Sequence, residues 1–498
     1  MLSVEEIRRF IDEDITSEKK RLAKIGQRYY EGDHDILNYR MFYYNADGIL
    51  VEDKARSNSR ICHPFFTELV DQLAAYIMSF KENPIRAKAT ADGLQDHLDQ
   101  YFDDEFWAEI QELITGTNAK GFEYLYAYKN EDDRLAFECA DSEGVVEVRA
   151  KDADDHRDHR IYWWIDRIEK GKKQIKRIQV HDTDMIHFYV QEDDGEIVKD
   201  KNEPINPRPN VMWTDPKTNK TYGEGLGFIP FWRLDNCRKQ FSGLKPIKGL
   251  IDDYDMMECG LSNNVQDFDS PIHLVKGFPG DKNEDLNKLQ HNIKTKKIVS
   301  LDDTDGDIEI KTIDIPYEAR KTKADEDEKN IYRFGMGFNS SQVGDGNITN
   351  VVIRSRYTLL DLKAGKLIRR LKRFLKDPIK VVLDEINAHN GTDYQYNDVE
   401  VVFELEIPTN EQENVQNAKT EAETQQIKIN TLLNIAANVG DEQTLKAICD
   451  EMDWDFDDLK GHIEEINEER KTANAQAILE GVVTDEQTAE TGSTAIPE

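Results

Sequence analysis

Between Pro230 and about Leu375 the chain runs helix, β-rich insert, helix, glycine loop and long basic helix, and this order limits the fold more than any other feature. The stretch LKPIKGLIDDYDMMECGLSNNVQDF predicts a helix from Leu244 to Phe268. Leu250, Ile251, Tyr254, Met257, Leu261 and Val265 recur on it as a narrow apolar stripe. At 1.5 Å per residue the rod is about 36 Å long. Asp252, Asp253, Asp255, Glu258, Asn263 and Asn264 fill the remainder, a pattern that suits a helix packed beside neighbours with one acidic side facing solvent or a channel. The insert 269–315 reads as strands and turns, opening with DSPIHLVKGFPG and closing near IEIKTIDIP. YEARKTKADEDEKNIYRFGMGF predicts a second helix over 317–337. NSSQVGDGNITN, from Asn339 to Asn350, has no apolar run and reads as an exposed loop. Residues 351–387 predict one long helix, bent at Pro378, with ten cations against Asp361, Asp377, Asp384 and Glu385. Its charge admits two readings: a surface helix paired with acidic helices of its own chain or a neighbour, or a spine whose start presents Arg354 and Arg356 to DNA.

The flanking regions have simpler periodicities. Residues 3–30 predict a helix capped by Ser3, with Ile7, Phe10, Ile11, Ile15 and Leu22 on one face. Residues 63–80 predict a second, ended by Asn83-Pro84, and 92–119 a third. From Gly121 to about Gly227 the period falls to two, and FEYLYAYK, RLAFECA, GVVEVRA, RIYWWIDRI, QIKRIQVHD and MIHFYVQE read as strands of an antiparallel β-rich lobe. The Trp163-Trp164 pair fits core plus edge packing. The edge strand VEVVFELEI follows the basic helix, residues 409–480 are acidic and helical, and the last fifteen or so predict disorder.

A chain of 498 residues suggests about three domains, and 33% charged residues favour an extended shape over one globule. The net charge of −34 argues against a surface that coats nucleic acid, but not against one that surrounds DNA without gripping it. The five cysteines lie far apart with no C-x-x-C pair, which favours a reducing compartment and neither a disulfide framework nor a zinc site. No P-loop, H-E-x-x-H or G-x-S-x-G motif occurs, and no signal peptide or membrane-spanning run is expected. Gly223-Glu224-Gly225-Leu226-Gly227 reads as a turn, because Phe228-Ile229-Pro230 follows it where a phosphate cradle would need a helix start. Leu301–Gly306 has the wrong first and twelfth ligands for calcium and reads as a β-turn. The run Asp154-Asp155-His156-Arg157-Asp158-His159-Arg160 holds metal-ligand types beside two arginines and reads as a solvated turn. Neither cofactor nor metal is expected. A metal-dependent nuclease using carboxylates such as Asp302, Asp303 and Asp305, and an acidic capsid scaffold or adaptor, are the competing functional readings.

Four strings give the chain a family likeness: YYEGDHDIL at 29–37, NSRICHPFFTELVDQLAAYIMSFKENPI at 58–85, the run from GFIPFWRLDNC to PIHLVKG at 227–277, and RFGMGF through GDGNITNVVIRSRYTLLDLKA at 333–364. In order and spacing they resemble the portal proteins of tailed bacteriophages, in the branch of siphophages of Gram-positive hosts. The resemblance implies a non-enzymatic α+β subunit with β-rich wing, two-helix stem, small α/β clip, long kinked spine helix and helical crown. It implies a homo-oligomeric ring, commonly of twelve, at one capsid vertex of the virion, assembled in the host cytoplasm. Double-stranded DNA would pass through the ring during packaging, retention and ejection. The terminase large subunit, a head-completion adaptor, and the major capsid and scaffolding proteins would be partners, with no membrane. Carried onto this chain, 1–243 would be the wing, 244–268 and 316–337 the stem helices, and 269–315 the clip, with Lys294, Lys296 and Lys297 for partner binding. Residues 338–350 would be the tunnel loop, with Asn339, Ser340, Ser341, Gln342, Gly344, Asp345, Gly346, Asn347, Thr349 and Asn350 at the DNA channel and Arg354 and Arg356 as nearby cations. Residues 351–407 would be the wing's spine helix and strand, 408–480 the crown, and 481–498 a disordered tail.

Overall fold

The computed structural model describes residues 1–45, 47–54, 56–130, 134–169, 173–215, 220–268, 272–276, 283–291, 307–311, 317–339, 350–405, 411–452 and scattered helical positions between 456 and 472. The chain divides into two units, one of Met1–Gly346 with Arg354–Ile407 and one of Asn347–Ile353 with Pro408–Glu498.

The first unit opens with α1 (Val4–Ile15) and α2 (Glu18–Tyr30), where the apolar period had predicted a single helix. Ser17 is the reason: its side chain accepts from the Lys20 backbone N–H and caps a new helix. Ser3 and Glu6 form a capping box at the start of α1. A ribbon of β1 (Phe42–Tyr44) and β2 (Leu50–Glu52) precedes α3 (Phe65–Ile77) and β3 (Ile85–Ala87). The helix expected over 92–119 is likewise two, α4 (Leu94–Leu98) and α5 (Asp104–Lys120), because Asp103 accepts from the Phe106 N–H and starts a new helix. Gly121 ends α5 at φ +99, and a Cβ there would sit 2.4 Å from the Gln240 carbonyl oxygen, so only glycine fits.

The β-rich lobe contains β4 (Phe122–Lys129), β5 (Leu135–Ala140), β6 (Val145–Val148), β7 (His159–Glu169), β8 (Lys173–His181), β9 (Met185–Glu192), β10 (Ile197–Lys199), β11 (Arg208–Pro209), β12 (Val211–Asp215), β13 (Lys220–Glu224) and β14 (Phe231–Asp235). One antiparallel sheet runs β10-β9-β8-β7-β6, with β11 also on β9. A second runs β14-β4-β5, and β12 pairs with β13. Ile7 and Ile11 of α1 close over Val146, Val148, Ile161, Ile178 and Val180 of the larger sheet. Trp163 packs against that core and Trp164 lies 5.2 Å from the Tyr162 ring.

Then come α6 (Lys248–Phe268), β15 (Ile272–Lys276), α7 (Asn283–His291), β16 (Asp307–Lys311), α8 (Tyr317–Gly335), α9 (Asn350–Asn390) and β17 (Val399–Val401). Helix α9 is the axis of the main core. Leu360, Ala364, Leu367, Leu371, Leu375, Ile379, Val382 and Ile386 follow helical spacing and are all buried. They meet Leu73 and Ile77 of α3, Phe106, Ile110, Leu113 and Ile114 of α5, and Leu125 of β4. Each buried leucine, isoleucine, valine or phenylalanine among them contributes about 1.5–3 kcal/mol. The helix continues on both sides of Pro378, whose missing N–H leaves the Phe374 carbonyl without its helical donor. Strand β17 pairs with β3, so the chain after α9 returns to the N-terminal helices. The second unit contains α10 (Glu411–Val439) and α11 (Asp441–Met452), which pack on each other.

Candidate functional site

Helices α6 and α8 lie antiparallel, since Ile251 clusters with Ile331 and Tyr332 while Gly260 faces Arg320. Phe65 of α3 wedges edge-on against both Tyr254 and Tyr332, at 4.9 and 5.9 Å between ring centroids. Lys323 binds Asp253 across the pair and Asp327 along its own helix. The strands after α6 and before α8 pair with each other, Ile272 opposite Lys311 and Lys276 opposite Asp307. The insert therefore leaves and returns as a two-stranded ribbon, with α7 between its strands in sequence. Lys294, Lys296 and Lys297 lie outside the described residues, as does Leu301–Gly306.

The polar side of α6 corrects the sequence reading. Asp255 and Asn263 do not face solvent or a channel; both are buried. Asp252, Asp255, Cys259, Asn263 and Asp267 form one helical stripe that binds the segment 29–63. The Tyr29 hydroxyl donates to Asp252. Asp255 accepts from the His63 backbone N–H at 2.9 Å and meets Nδ1 of His63 at 2.8 Å and of His34 at 2.7 Å. The Ile61 N–H donates to Cys259 Sγ, the Ser59 N–H to Asn263 Oδ1 at 2.6 Å, and the Ser57 N–H to Asp267 Oδ1 at 3.0 Å. Burial would raise the Asp255 carboxyl, but hydrogen bonds from His34 and His63 outweigh it and hold it below its ordinary value. Lys248 ties the root down further through Asp35 and Asp252.

Acidic charge persists on the pair elsewhere. Asp325 and Glu326 of α8 are exposed and Glu258 of α6 is half-buried. The Tyr254 hydroxyl is pushed up to about 12, by burial first and then by Glu258, Glu328, Asp255 and Asp325.

Helix α8 exits through Gly335-Met336-Gly337, with Met336 at φ +57. A Cβ on Gly337 would lie 2.0 Å from Leu69 Cδ2, so the exit is pressed onto α3. Gln72 holds Phe338 through both backbone groups, at 2.9 and 2.7 Å. Phe338 then stacks on Tyr357 of α9 at 5.1 Å. The two ends of the expected tunnel loop are thus joined at their base. Of its candidate residues, Asn339 donates to Glu328 at 2.9 Å and Asn350 opens α9. Ser340, Ser341, Gln342, Gly344, Asp345, Gly346, Asn347 and Thr349 lie outside the described residues. Arg354 is exposed. Arg356 joins Lys329 and Arg333 around a recess of about 170 Å³ beside the loop base. Lys363 donates to the Gly335 carbonyl at 3.0 Å, and burial pushes its ammonium down to about 8.

Further along α9, Lys366, Arg369, Arg370 and Arg373 line a groove of about 990 Å³ whose other wall is β14 and Arg238. Among the described residues none of these five cations forms an ion pair.

The residues weighed for other chemistry have structural work. Asp155 binds the N-terminal ammonium and His159, and Asp158 accepts from the Ala150 N–H. His159 is only 1% exposed and starts β7, so the turn expected to be solvated is buried at that end. Gly223 lies in the β12–β13 ribbon opposite Met212, and the Gly227 N–H donates to the Thr183 carbonyl.

Comparison with known proteins agrees with the likeness in the motifs. The family described as "Phage portal protein, SPP1 Gp6-like" matches residues 8–476. The portal protein of Bacillus phage SPP1 is 23% identical over 353 residues, covering 70% of this chain and 67% of that one. The portal protein of Clostridium phage phiCD119 is 24% identical over 436 residues, covering 79% and 84%. Among solved structures, a chain from "Virion of native gene transfer agent (GTA) particle" aligns at 13% identity with a TM-score of 0.38, covering 73% of this chain and 85% of that one. With a family match from residue 8 to residue 476, the chain belongs to the SPP1 Gp6-like phage portal proteins.

Proposed function

We propose that this chain is one subunit of a ring, of twelve copies, at a single capsid vertex, and that double-stranded DNA passes through the ring during packaging, retention and ejection. The observation that carries the reading is the antiparallel α6–α8 pair, rooted by its buried polar stripe at one end and continued by the β15–β16 ribbon at the other. In this reading 244–268 and 316–337 are the stem, 269–315 the clip that docks the terminase large subunit and later a head-completion adaptor, and 338–350 the tunnel loop. Residues 1–243 and 351–407 form the wing, facing capsid and scaffolding proteins, 408–480 the crown and 481–498 the tail. The protein acts by position rather than by catalysis.

The electrostatics suit sliding. Duplex DNA carries one charge per about 1.7 Å, so a helix of 21 residues, about 32 Å, spans nearly 20 phosphates. Tight contact with a handful of them would arrest movement. Glu258, Asp325 and Glu326 would instead keep the duplex off the wall, while the loop and Arg354 make light contact. The β1–β2 ribbon also favours assembly: Phe42, Tyr43, Tyr44, Ile49 and Leu50 are all at least half exposed, and a lone two-stranded ribbon is marginal in water. Light scattering of the purified chain tests the reading. A particle of about twelve 57.6-kDa chains is expected, and a monomer at micromolar concentration would contradict it.

A further inference from the structure

Two charge stripes of opposite sign, neither ion-paired among the described residues, lie at opposite edges of the sheet β14-β4-β5. At the β14 edge is the groove of Lys366, Arg369, Arg370, Arg373 and Arg238. The four α9 cations are spaced i, i+3, i+4, i+7 and span about 10.5 Å. At the β5 edge are Glu105, Glu109 and Glu112 of α5, spaced i, i+4, i+7 over the same length, with Glu138 of β5 beside them. Glu109 Oε2 accepts from the outward N–H of Cys139 at 2.7 Å, which places Glu109 at that edge. None of these carboxylates has a cationic partner among the described residues. The Glu138 carboxyl is pushed up, by burial first and then by the neighbouring Glu109.

Resting on the ring reading above, we infer that the arginine groove of one copy receives the Glu105–Glu112 stripe of the next copy. The patches lie at opposite edges of one small sheet, so a single copy cannot bring them together. A contact between different patches on identical chains is head-to-tail, the type that generates rings when its rotation closes. Matched length and spacing favour an acidic helix as occupant. Nucleic acid is the competing occupant, and the variants below separate it from an acidic helix. Arg233 is already engaged by Glu147 at 2.6 Å and Asp235 at 2.8 Å. The free cations on the α9 wall are therefore the ones available to the next copy.

Charge reversal on the full chain tests this. Three variants are needed: Glu105→Arg with Glu112→Arg, Arg369→Glu with Arg373→Glu, and all four together. Assembly is followed by sedimentation velocity at 0.15 M salt, with circular dichroism to confirm folding. Each two-site reversal should raise the concentration for half-assembly roughly 100-fold, about tenfold per reversed charge. The four-site variant should return to within about threefold of the wild type. Wild-type rings that persist unchanged in both two-site variants would overturn the inference and leave the ring reading intact. Rings unchanged in the Arg369/Arg373 variant, but with binding of a 30-base-pair duplex lost, would overturn it in favour of a nucleic-acid groove. A wild-type chain that never leaves the monomer would sink the ring reading and this inference with it.

Discussion

Replacing Asp255 with alanine should loosen the root of α6. Its carboxylate is fully buried and takes three hydrogen bonds, two from histidine rings and one from the His63 backbone. Bonds to a charged acceptor are worth about 1.5–3 kcal/mol each, but their sum overstates the net because the charge was desolvated to make them. Breaking a buried polar pair from one side costs about 3–5 kcal/mol, and we take about 4 kcal/mol here. That cost should fall on the strap 57–63, whose N–H groups α6 holds. Native-state hydrogen exchange reads it directly, and about 4 kcal/mol corresponds to exchange roughly 1,000-fold faster at Ser59, Ile61 and His63. Asp255→Asn keeps one acceptor oxygen and should fall between. The pH sign follows from the lowered carboxyl. Its stabilisation is fully present above the unfolded carboxylate value near 4 and is lost as pH falls through the lower folded value. The alanine variant should lack that acid-limb loss. Exchange in 57–63 that changes by less than about tenfold would refute the view that this stripe anchors α6.

Three further outcomes are expected. Gly337→Ala forces a methyl group into Leu69 and should lower stability by about 1–3 kcal/mol in a thermal melt, with Leu69→Ala partly relieving the clash. His181 is fully buried and pushed down to about 3, by burial first and then by Arg208. Below pH 6.5 the unfolded chain takes up a proton that the folded one refuses, so stability should fall by up to about 1.4 kcal/mol per pH unit on acidification. A urea titration at pH 6.5 and 5 should show a smaller loss for His181→Phe. A rigid proline-containing segment in place of 344–346 should leave assembly intact while blocking DNA packaging in a cell extract, and normal packaging would remove the loop from the mechanism.

Periodicity made the long elements readable. The helix α6, the period-two strands from Gly121 onward and the long helix α9 all appear where their patterns lie, because burial imposes the period directly, although Val265 at the far end of the α6 stripe is exposed. Breaks were harder. Ser17 and Asp103 interrupt continuous apolar patterns, and their capping role depends on local backbone geometry rather than on hydrophobic period. Partners distant in sequence were invisible. Asp255 reads as a surface acid on an amphipathic helix, and only the fold brings His34 and His63, about 200 residues away, onto its oxygens. A signal did exist: Asp252, Asp255, Cys259, Asn263 and Asp267 share one helical stripe, more regular than a solvated face requires. His159 reads as solvated for a similar reason, since the chain terminus that covers its neighbourhood lies far away in sequence. The groove on α9 illustrates the converse. The cations were plain in the sequence, but their lack of partners appeared only once the surrounding carboxylates were placed.

The most direct test of the central claim is electron microscopy of the purified chain with class averages viewed end-on. The account predicts closed rings of about twelve subunits around a hole wide enough for duplex DNA. Compact monomers, dimers, or closed particles without a central channel would contradict it.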